Sequence, residues 1–296
     1  MNRSTILFSL FFVLFACNLK ERRIPKSTLP EKDDLNEIFG YYSEPKAEMV
    51  YSEFVSDSFK VLKSLPSEYY QDTASTYPLL IVLDANAYFE SVVAELKLST
   101  LTQGLPKAIV VGIGYKGFWA MDSLRDRDFT HPRALPEDSF RISGGAEKFK
   151  RFIDDELLPK VLNQFRVSQK QIVLMGHSLG GYFVLYYMFD SLEKGEYKVG
   201  NYISVSPALA YHNKYLLSLE WELSLSARAL PLKLYVSTGS AEHESNQENL
   251  FSTLKTQFER SRYKEAKVKF VEFGNFDHMD AAMPGFMKGL IFVFEE

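Results

Sequence analysis

The sequence predicts an α/β fold in which a mainly parallel central sheet is covered by helices on both faces. Six compact, mostly apolar runs recur between residues 77 and 273, as expected for strands buried on both faces. Between them lie segments whose apolar residues repeat at three- and four-residue spacing, which is typical of helices. This alternation favours parallel strands. Ligands of such sheets bind beyond the carboxyl ends of the strands, so we expect a functional site at that edge.

The elements are predicted in chain order. Residues 47–70 alternate apolar and polar side chains around a polar break at Ser56–Ser58, which indicates an antiparallel strand pair. The six apolar runs predict strands at Tyr77–Asp84, Lys107–Tyr115, Gln171–Met175, Asn201–Pro207, Leu232–Gly239 and Lys267–Phe273. The helical spacing predicts helices at Tyr88–Leu101, Ala146–Leu162, Tyr182–Phe189 and Leu250–Tyr263.

The N-terminal residues predict an export signal followed by a tether. Arg3 precedes an apolar stretch, Ile6–Ala16, which is too short to span a bilayer comfortably. Residues 14–17, "LFAC", resemble the lipobox of bacterial lipoproteins, and Cys17 is the only cysteine of the chain. We expect a lipoprotein signal peptide at 1–16, a tether at 17–45 and one catalytic domain at 46–296. Lipid on Cys17 then holds the chain at the bacterial cell envelope, on a periplasmic or outer-membrane face; an ordinary signal peptide cut nearby is the alternative.

The charge of the chain argues against nucleic-acid binding, and its motifs argue against a metal or cofactor site. The 296 residues carry a formal net charge of -4 with a pI near 5.9, so nucleic acid is not expected as a partner. The sequence has no HExxH motif, no paired His/Cys spacing and no phosphate loop. We therefore expect no metal or organic cofactor.

A nucleophile elbow is predicted at "QIVLMGHSLGGYFVLYYM" (171–188). The motif Gly-His-Ser-Leu-Gly lies between an apolar strand and an apolar helix, the context in which a serine hydroxyl is exposed on a sharp turn. Ser178 is the predicted nucleophile. The alternative is that the glycines serve packing and the serine caps the following helix.

A serine nucleophile needs a base, an acid that orients the base, and donors for the oxyanion. His278 follows the last predicted strand, and Glu242 follows the penultimate strand, with Glu244 in reserve. His177 is expected to point elsewhere. The oxyanion donors are predicted to be the N–H of Leu179 and the N–H of Ala85 or Asn86.

Together these residues resemble the "Putative esterase" (esterase D-like) family of α/β-hydrolases, and its siderophore-esterase branch looks closest. The likeness covers nearly all of the chain after the tether, and "VLMGHSLGGYFVLYY" and "RDRDFTHP" are its most specific parts. It implies an α/β-hydrolase fold, ester hydrolysis through an acyl-enzyme and a small-molecule ester as the partner, with siderophore trilactones among the candidate substrates. By this likeness Ser178 and His278 match the nucleophile and base, and Glu242 matches the acid loop. A Ser178–His278 pair acting without a third residue is the alternative.

Substrate contacts are expected from two segments. Arg125 and Arg127 of "RDRDFTHP" follow a strand and are predicted to meet an anionic or metal-chelated substrate; alternatively, they pair with the neighbouring aspartates and fix the loop. Tyr211, with Trp119, is a candidate for an apolar wall, and His212 is a candidate to line the pocket. An acyltransferase of the same fold and a non-catalytic ligand-binding lipoprotein are the rival functions.

Overall fold

The central sheet of the computed structural model contains both parallel and antiparallel strands. The structure describes residues 45–102, 104–224, 232–243, 249–260 and 265–295. The predicted signal peptide, Cys17 and nearly all of the predicted tether lie outside these residues, as does Glu244. No helix in the described part of the chain is long and apolar enough to cross a bilayer.

Eight strands of the described chain form one sheet in the order β1-β2-β4-β3-β5-β6-β7-β8. Their bounds are β1 (Lys46–Ser52), β2 (Asp57–Ser64), β3 (Tyr77–Val82), β4 (Ile109–Gly114), β5 (Val167–His177), β6 (Asn201–Val205), β7 (Lys233–Gly239) and β8 (Lys267–Phe273). The pairs β1–β2 and β2–β4 are antiparallel, and every other neighbouring pair is parallel. The predicted fold class and all eight strands are confirmed.

The helices connect these strands on both sides of the sheet. Their bounds are α1 (Ala85–Thr102), α2 (Phe118–Phe129), α3 (Ala146–Arg151), α4 (Leu158–Gln164), α5 (Leu179–Lys194), α6 (Tyr211–Ser224), α7 (Leu250–Arg260) and α8 (Ala282–Phe294). A π-helical turn, Phe152–Leu157, joins α3 to α4, so the single helix predicted there contains a change of winding.

Two apolar cores lie on opposite faces of the sheet. Successive residues of β3 alternate between them, because side chains of a strand point to opposite faces in turn. Leu80 and Val82 pack in the core that contains Phe89 of α1 and Phe286 of α8. Ile81 packs in the other core, to which helices α2 to α7 all contribute buried side chains. Burial on both faces explains why the central strands are apolar throughout.

The edge strand β8 departs from the prediction. We predicted β8 as a strand buried on both faces, but its side chains are only half-buried or exposed. The reason is its position at the edge of the sheet, next to β7 alone. Its alternating "KVKFVEF" pattern fits this edge position, since lysine side chains blunt exposed edges.

Candidate active site

The elbow at Ser178 has the sharp turn that the motif predicts. Ser178 has φ 60° and ψ −120°, which turns β5 directly into α5. Its N–H donates to the carbonyl of Val205 at 2.9 Å, so the strained turn is tied to β6. A Cβ on Gly176 would lie 2.5 Å from the carbonyl of Gly180, so the turn requires glycine. The Ser178 side chain makes no capping hydrogen bond to α5, which argues against the capping alternative.

A short hydrogen bond joins His278 to Glu242. The imidazole Nδ1–H donates to Glu242 Oε2 at 2.7 Å, from the loop after β8 to the 3₁₀ turn after β7. In this tautomer Nε2 carries no proton and is available as a base. The His278 side chain is 43% exposed, so packing alone does not fix its ring.

The other oxygen of Glu242 accepts three hydrogen bonds. Its Oε1 receives Ser206 Oγ–H at 2.7 Å, Thr238 Oγ1–H at 3.1 Å and the N–H of Gly239 at 2.7 Å. Burial raises the pKa of Glu242, but the hydrogen bonds from His278, Ser206 and the Gly239 N–H outweigh it and lower the pKa to about 2. The carboxylate is therefore ionised at neutral pH.

A cavity of about 470 Å³ brings these groups together at the carboxyl ends of the strands. Its wall contains Ser178, Glu242, His278, Arg125, Asp138, Phe140, Leu179, Ser206, Pro207, Ala208, Leu209, Ala210, Tyr211, Thr238, Leu250 and Phe251. The cavity thus combines the predicted nucleophile, base and acid with an apolar wall. This volume falls within the range of small-molecule sites.

The two predicted oxyanion donors lie at helix N-termini. Leu179 is the first residue of α5 and Ala85 is the first residue of α1, so neither N–H has an intrahelical acceptor. Leu179 lines the cavity, whereas Ala85 is not among the lining residues. Asn86 has a different role from a helix cap: its side chain accepts from the N–H of Tyr115 at 2.7 Å and donates to the carbonyl of Tyr115 at 3.0 Å.

Arg125 lines the cavity with its charge already compensated. Its Nε and Nη2 donate to the two carboxylate oxygens of buried Asp84 at 3.0 and 2.9 Å. Nη2 also donates to the carbonyl of His177 at 3.3 Å. This bidentate pair joins the turn after β3 to the elbow, so Arg125 braces the two turns that carry the predicted oxyanion donors.

Two of the expected substrate-contact residues lie outside the wall of the cavity. Arg127 is not among the cavity-lining residues, and its guanidinium pairs with Asp57 at 2.9 Å and with Asp128 at 2.8 Å. The alternative interpretation, in which it fixes the loop, describes its placement. His212 is also absent from the cavity wall; it begins a left-handed turn with φ 47°, and its Nδ1 is 2.9 Å from the carbonyl of Arg133.

Of the two aromatic residues expected at the cavity wall, Tyr211 lines the cavity and Trp119 does not. Tyr211 lines the cavity, stacks on Phe140 with ring centroids 5.6 Å apart, and donates its hydroxyl to the carbonyl of Pro132 at 2.8 Å. Trp119 is 86% exposed and does not line the cavity.

Sequence reasoning missed the residues that hold Glu242. Ser206 and Thr238 lie at or just after the carboxyl ends of β6 and β7, the edge where functional groups were expected. That edge rule was a signal that could have identified them.

Protonation of Glu242 should show in the stability of the protein. Because folding lowers the pKa of this group from 4.5 to about 2, its ionised form stabilises the fold above pH 4.5, and this contribution is lost as pH falls toward 2. We expect Glu242→Gln to have a lower Tm than wild type at pH 7. At pH 3 the Tm difference between the two proteins should be smaller. Thermal unfolding at both values measures this. A Tm difference that stays constant from pH 7 to pH 2.5 would contradict the lowered pKa.

Comparison with known proteins agrees with this geometry. Residues 52–278 match the family described as "Putative esterase". Ferri-bacillibactin esterase BesA of Bacillus subtilis (strain 168) is 29% identical over 221 residues, covering 69% of this chain and 74% of the relative. Apo-salmochelin esterase of Escherichia coli O6:H1 (strain CFT073) is 30% identical over 230 residues, covering 74% of this chain and 70% of the relative.

A solved structure shows the same fold. The BES protein from Bacillus cereus superposes with a TM-score of 0.72 at 26% identity, covering 86% of this chain and 96% of that protein. The predicted family resemblance is confirmed, and with it the reaction class. The chain belongs to the "Putative esterase" family and is a carboxylic ester hydrolase.

Proposed function

We propose that Ser178, His278 and Glu242 hydrolyse a carboxylic ester by way of an acyl-enzyme. The observation that carries this proposal is the 2.7 Å hydrogen bond from His278 to the ionised Glu242, in the cavity that Ser178 also lines. Glu242 fixes the tautomer that leaves Nε2 of His278 basic and stabilises the imidazolium that forms during the reaction. This arrangement has a role for each of the three side chains.

In the first half-reaction, the Oγ of Ser178 attacks the ester carbonyl carbon while Nε2 of His278 takes the hydroxyl proton. The carbonyl oxygen becomes an oxyanion, stabilised by the N–H groups of Leu179 and Ala85. When the carbonyl re-forms, the C–O bond to the alcohol breaks and the imidazolium returns its proton to the leaving alkoxide. The products of this step are the free alcohol and an acyl group on Ser178.

In the second half-reaction, water replaces the alcohol. Nε2 of His278 takes a proton from the water as its oxygen attacks the acyl carbon, and the same two N–H groups stabilise the second oxyanion. Collapse breaks the bond to Ser178 Oγ, which recovers its proton from the imidazolium. The acid product leaves and the enzyme is unchanged. An acyltransferase would use the same steps with an alcohol in place of the water.

We further propose that the substrate is a catecholate siderophore trilactone in its iron-free form. The names of the two relatives, a ferri-bacillibactin esterase and an apo-salmochelin esterase, support the siderophore class. The aromatic side chains of Phe140, Tyr211 and Phe251 in the cavity wall suit flat aryl groups.

The charges in the cavity favour the iron-free form. Arg125 is compensated by Asp84, while Asp138 and Glu242 add two carboxylates to the wall. Three catecholates on one Fe³⁺ make a trianion, which these carboxylates repel. In a water-like dielectric a like-charge pair costs about 1 kcal/mol at 4 Å and less at longer range, so we expect repulsion by the two carboxylates to disfavour the ferric complex by about tenfold.

The catalytic proposal predicts the behaviour of Ser178→Ala. Because the hydroxyl is the only part lost, hydrolysis of p-nitrophenyl butyrate and labelling by a fluorophosphonate should both fall to background while the Tm stays close to that of wild type. A Ser204→Ala variant removes a buried hydroxyl of β6 that donates to the carbonyl of Gly181, and provides the matched control. Undiminished turnover by Ser178→Ala would contradict the proposal.

The substrate proposal predicts a preference between two forms of one compound. We expect kcat/KM for an iron-free catecholate trilactone to exceed that for its ferric complex by about tenfold, since the wall lacks an uncompensated cation. Asp138→Asn, which keeps the side-chain shape, should narrow this ratio while turnover of p-nitrophenyl butyrate changes little. Equal or faster hydrolysis of the ferric complex would contradict the charge argument.

We also propose that the chain is a lipoprotein of the cell envelope, anchored by lipid on Cys17. The support is the sequence "LFAC" after a short apolar stretch that follows Arg3. Because lipid on Cys17 is the proposed anchor, Cys17→Ala should move the protein from the membrane fraction to the supernatant without loss of esterase activity. Fractionation after a high-salt wash measures this. Retention of Cys17→Ala in the washed membranes would refute lipid anchoring at this residue.

A further inference from the structure

A buried histidine connects the nucleophile strand to the loop of the catalytic base. His177 is the last residue of β5, and its side chain is almost completely buried, at 2% exposure. Its Nε2 lies 2.7 Å from the main-chain carbonyl oxygen of His278, and its Nδ1 lies 2.9 Å from the hydroxyl of Tyr88 on α1. The rings of His177 and His278 are adjacent, with centroids 4.5 Å apart.

The partners of His177 determine its tautomer. A carbonyl oxygen only accepts, so Nε2 must carry the proton and donate it to His278. Nδ1 then accepts a hydrogen bond from the hydroxyl group of Tyr88. Burial, followed by the neighbouring charge of His278, lowers the pKa of His177 to about 4, so the imidazole is neutral at neutral pH. Both ring nitrogens are satisfied in this single state.

This contact complements the one made by Glu242. Glu242 holds the ring of His278 through Nδ1, whereas His177 holds the main chain of the same residue through its carbonyl. The ring itself is 43% exposed, so its position depends on these two anchors more than on packing. Because His177 precedes Ser178 directly, the hydrogen bond ties the backbone of the base to the backbone of the nucleophile.

We propose that His177 is a positioning residue that sets the separation of Ser178 and His278 by holding the His278 carbonyl, with Tyr88 fixing its tautomer. This inference rests on the proposed ester hydrolysis at Ser178. His177 does not contact the substrate; it acts through the loop that carries His278. A displacement of about 1 Å in a catalytic group costs up to about a hundredfold in rate, so loss of this anchor reduces kcat.

Three substitutions test the inference. His177→Leu removes the donor and should lower kcat on p-nitrophenyl butyrate by about tenfold to a hundredfold, with KM within about threefold of wild type. His177→Gln keeps an N–H donor of similar reach and should recover kcat to within about fivefold of wild type. Tyr88→Phe removes the group that fixes the tautomer and should lower kcat by about threefold to tenfold.

A matched control separates positioning from general loss of a buried hydrogen bond. Tyr202→Phe deletes a buried hydroxyl that donates to the carbonyl of Val199 at 2.6 Å, and Tyr202 is not among the cavity-lining residues. It should lower the Tm without changing kcat. If His177→Leu does not fold, Tyr88→Phe and His177→Gln still test the inference by the same kinetic measurement.

The outcomes distinguish this inference from the function on which it rests. Wild-type protein that neither hydrolyses the ester nor reacts with a fluorophosphonate would refute the proposed function. Active wild type with an unchanged kcat in His177→Leu, or with equal losses in the leucine and glutamine variants, would overturn the positioning role alone. A loss of kcat at constant KM in His177→Leu that is recovered in His177→Gln would support the positioning role.

Discussion

The Glu242 carboxylate is the group on which the geometry of the site depends. Its two oxygens accept four hydrogen bonds, from Ser206 beyond β6, from Thr238 and Gly239 at the end of β7, and from His278 after β8. One charged group thus joins two neighbouring strand ends to the loop after β8. It also holds the imidazole of His278, which is partly exposed to solvent. Removing the whole carboxylate would leave several donors without an acceptor, which costs more than one hydrogen bond is worth.

The sheet brings these groups together because its parallel strands end at one edge. β5 delivers Ser178, and the segments after β6, β7 and β8 deliver Ser206, Glu242 and His278. The strained backbone of Ser178 costs of order 1–3 kcal/mol, which the burial of α5 against the sheet offsets. The rigid core below therefore holds a turn that an isolated segment would not adopt.

Local patterns predicted the parts of this protein that depend on local physics. The apolar runs predicted the central strands because burial on both faces needs apolar side chains throughout, and the glycines around Ser178 predicted the elbow because other residues collide there. Three helices were not predicted. The apolar α8 has no polar face along most of its length, the charged α2 has no apolar stripe, and α6 contains the left-handed turn at His212.

Contacts between side chains that lie far apart in the chain could not be predicted from the sequence either. Arg127 pairs with Asp57, 70 residues away, and the sequence contains no periodicity that reveals such a contact. For the same reason the bond from His177 to the His278 carbonyl became visible only in three dimensions. Chain order favoured Glu242 as the acid and kept Glu244 in reserve. The described contacts identify Glu242 as the partner of His278.

The central claim is that an ionised Glu242 holds the Nδ1–H of His278, and proton NMR tests it most directly. A strong imidazole–carboxylate hydrogen bond protects this proton from exchange and moves its resonance far downfield of the amide region. We expect one such resonance in wild type and in Ser178→Ala, and its loss in both Glu242→Gln and His278→Gln. A downfield resonance that persists in Glu242→Gln would contradict the account, because His278 would then be held by another group.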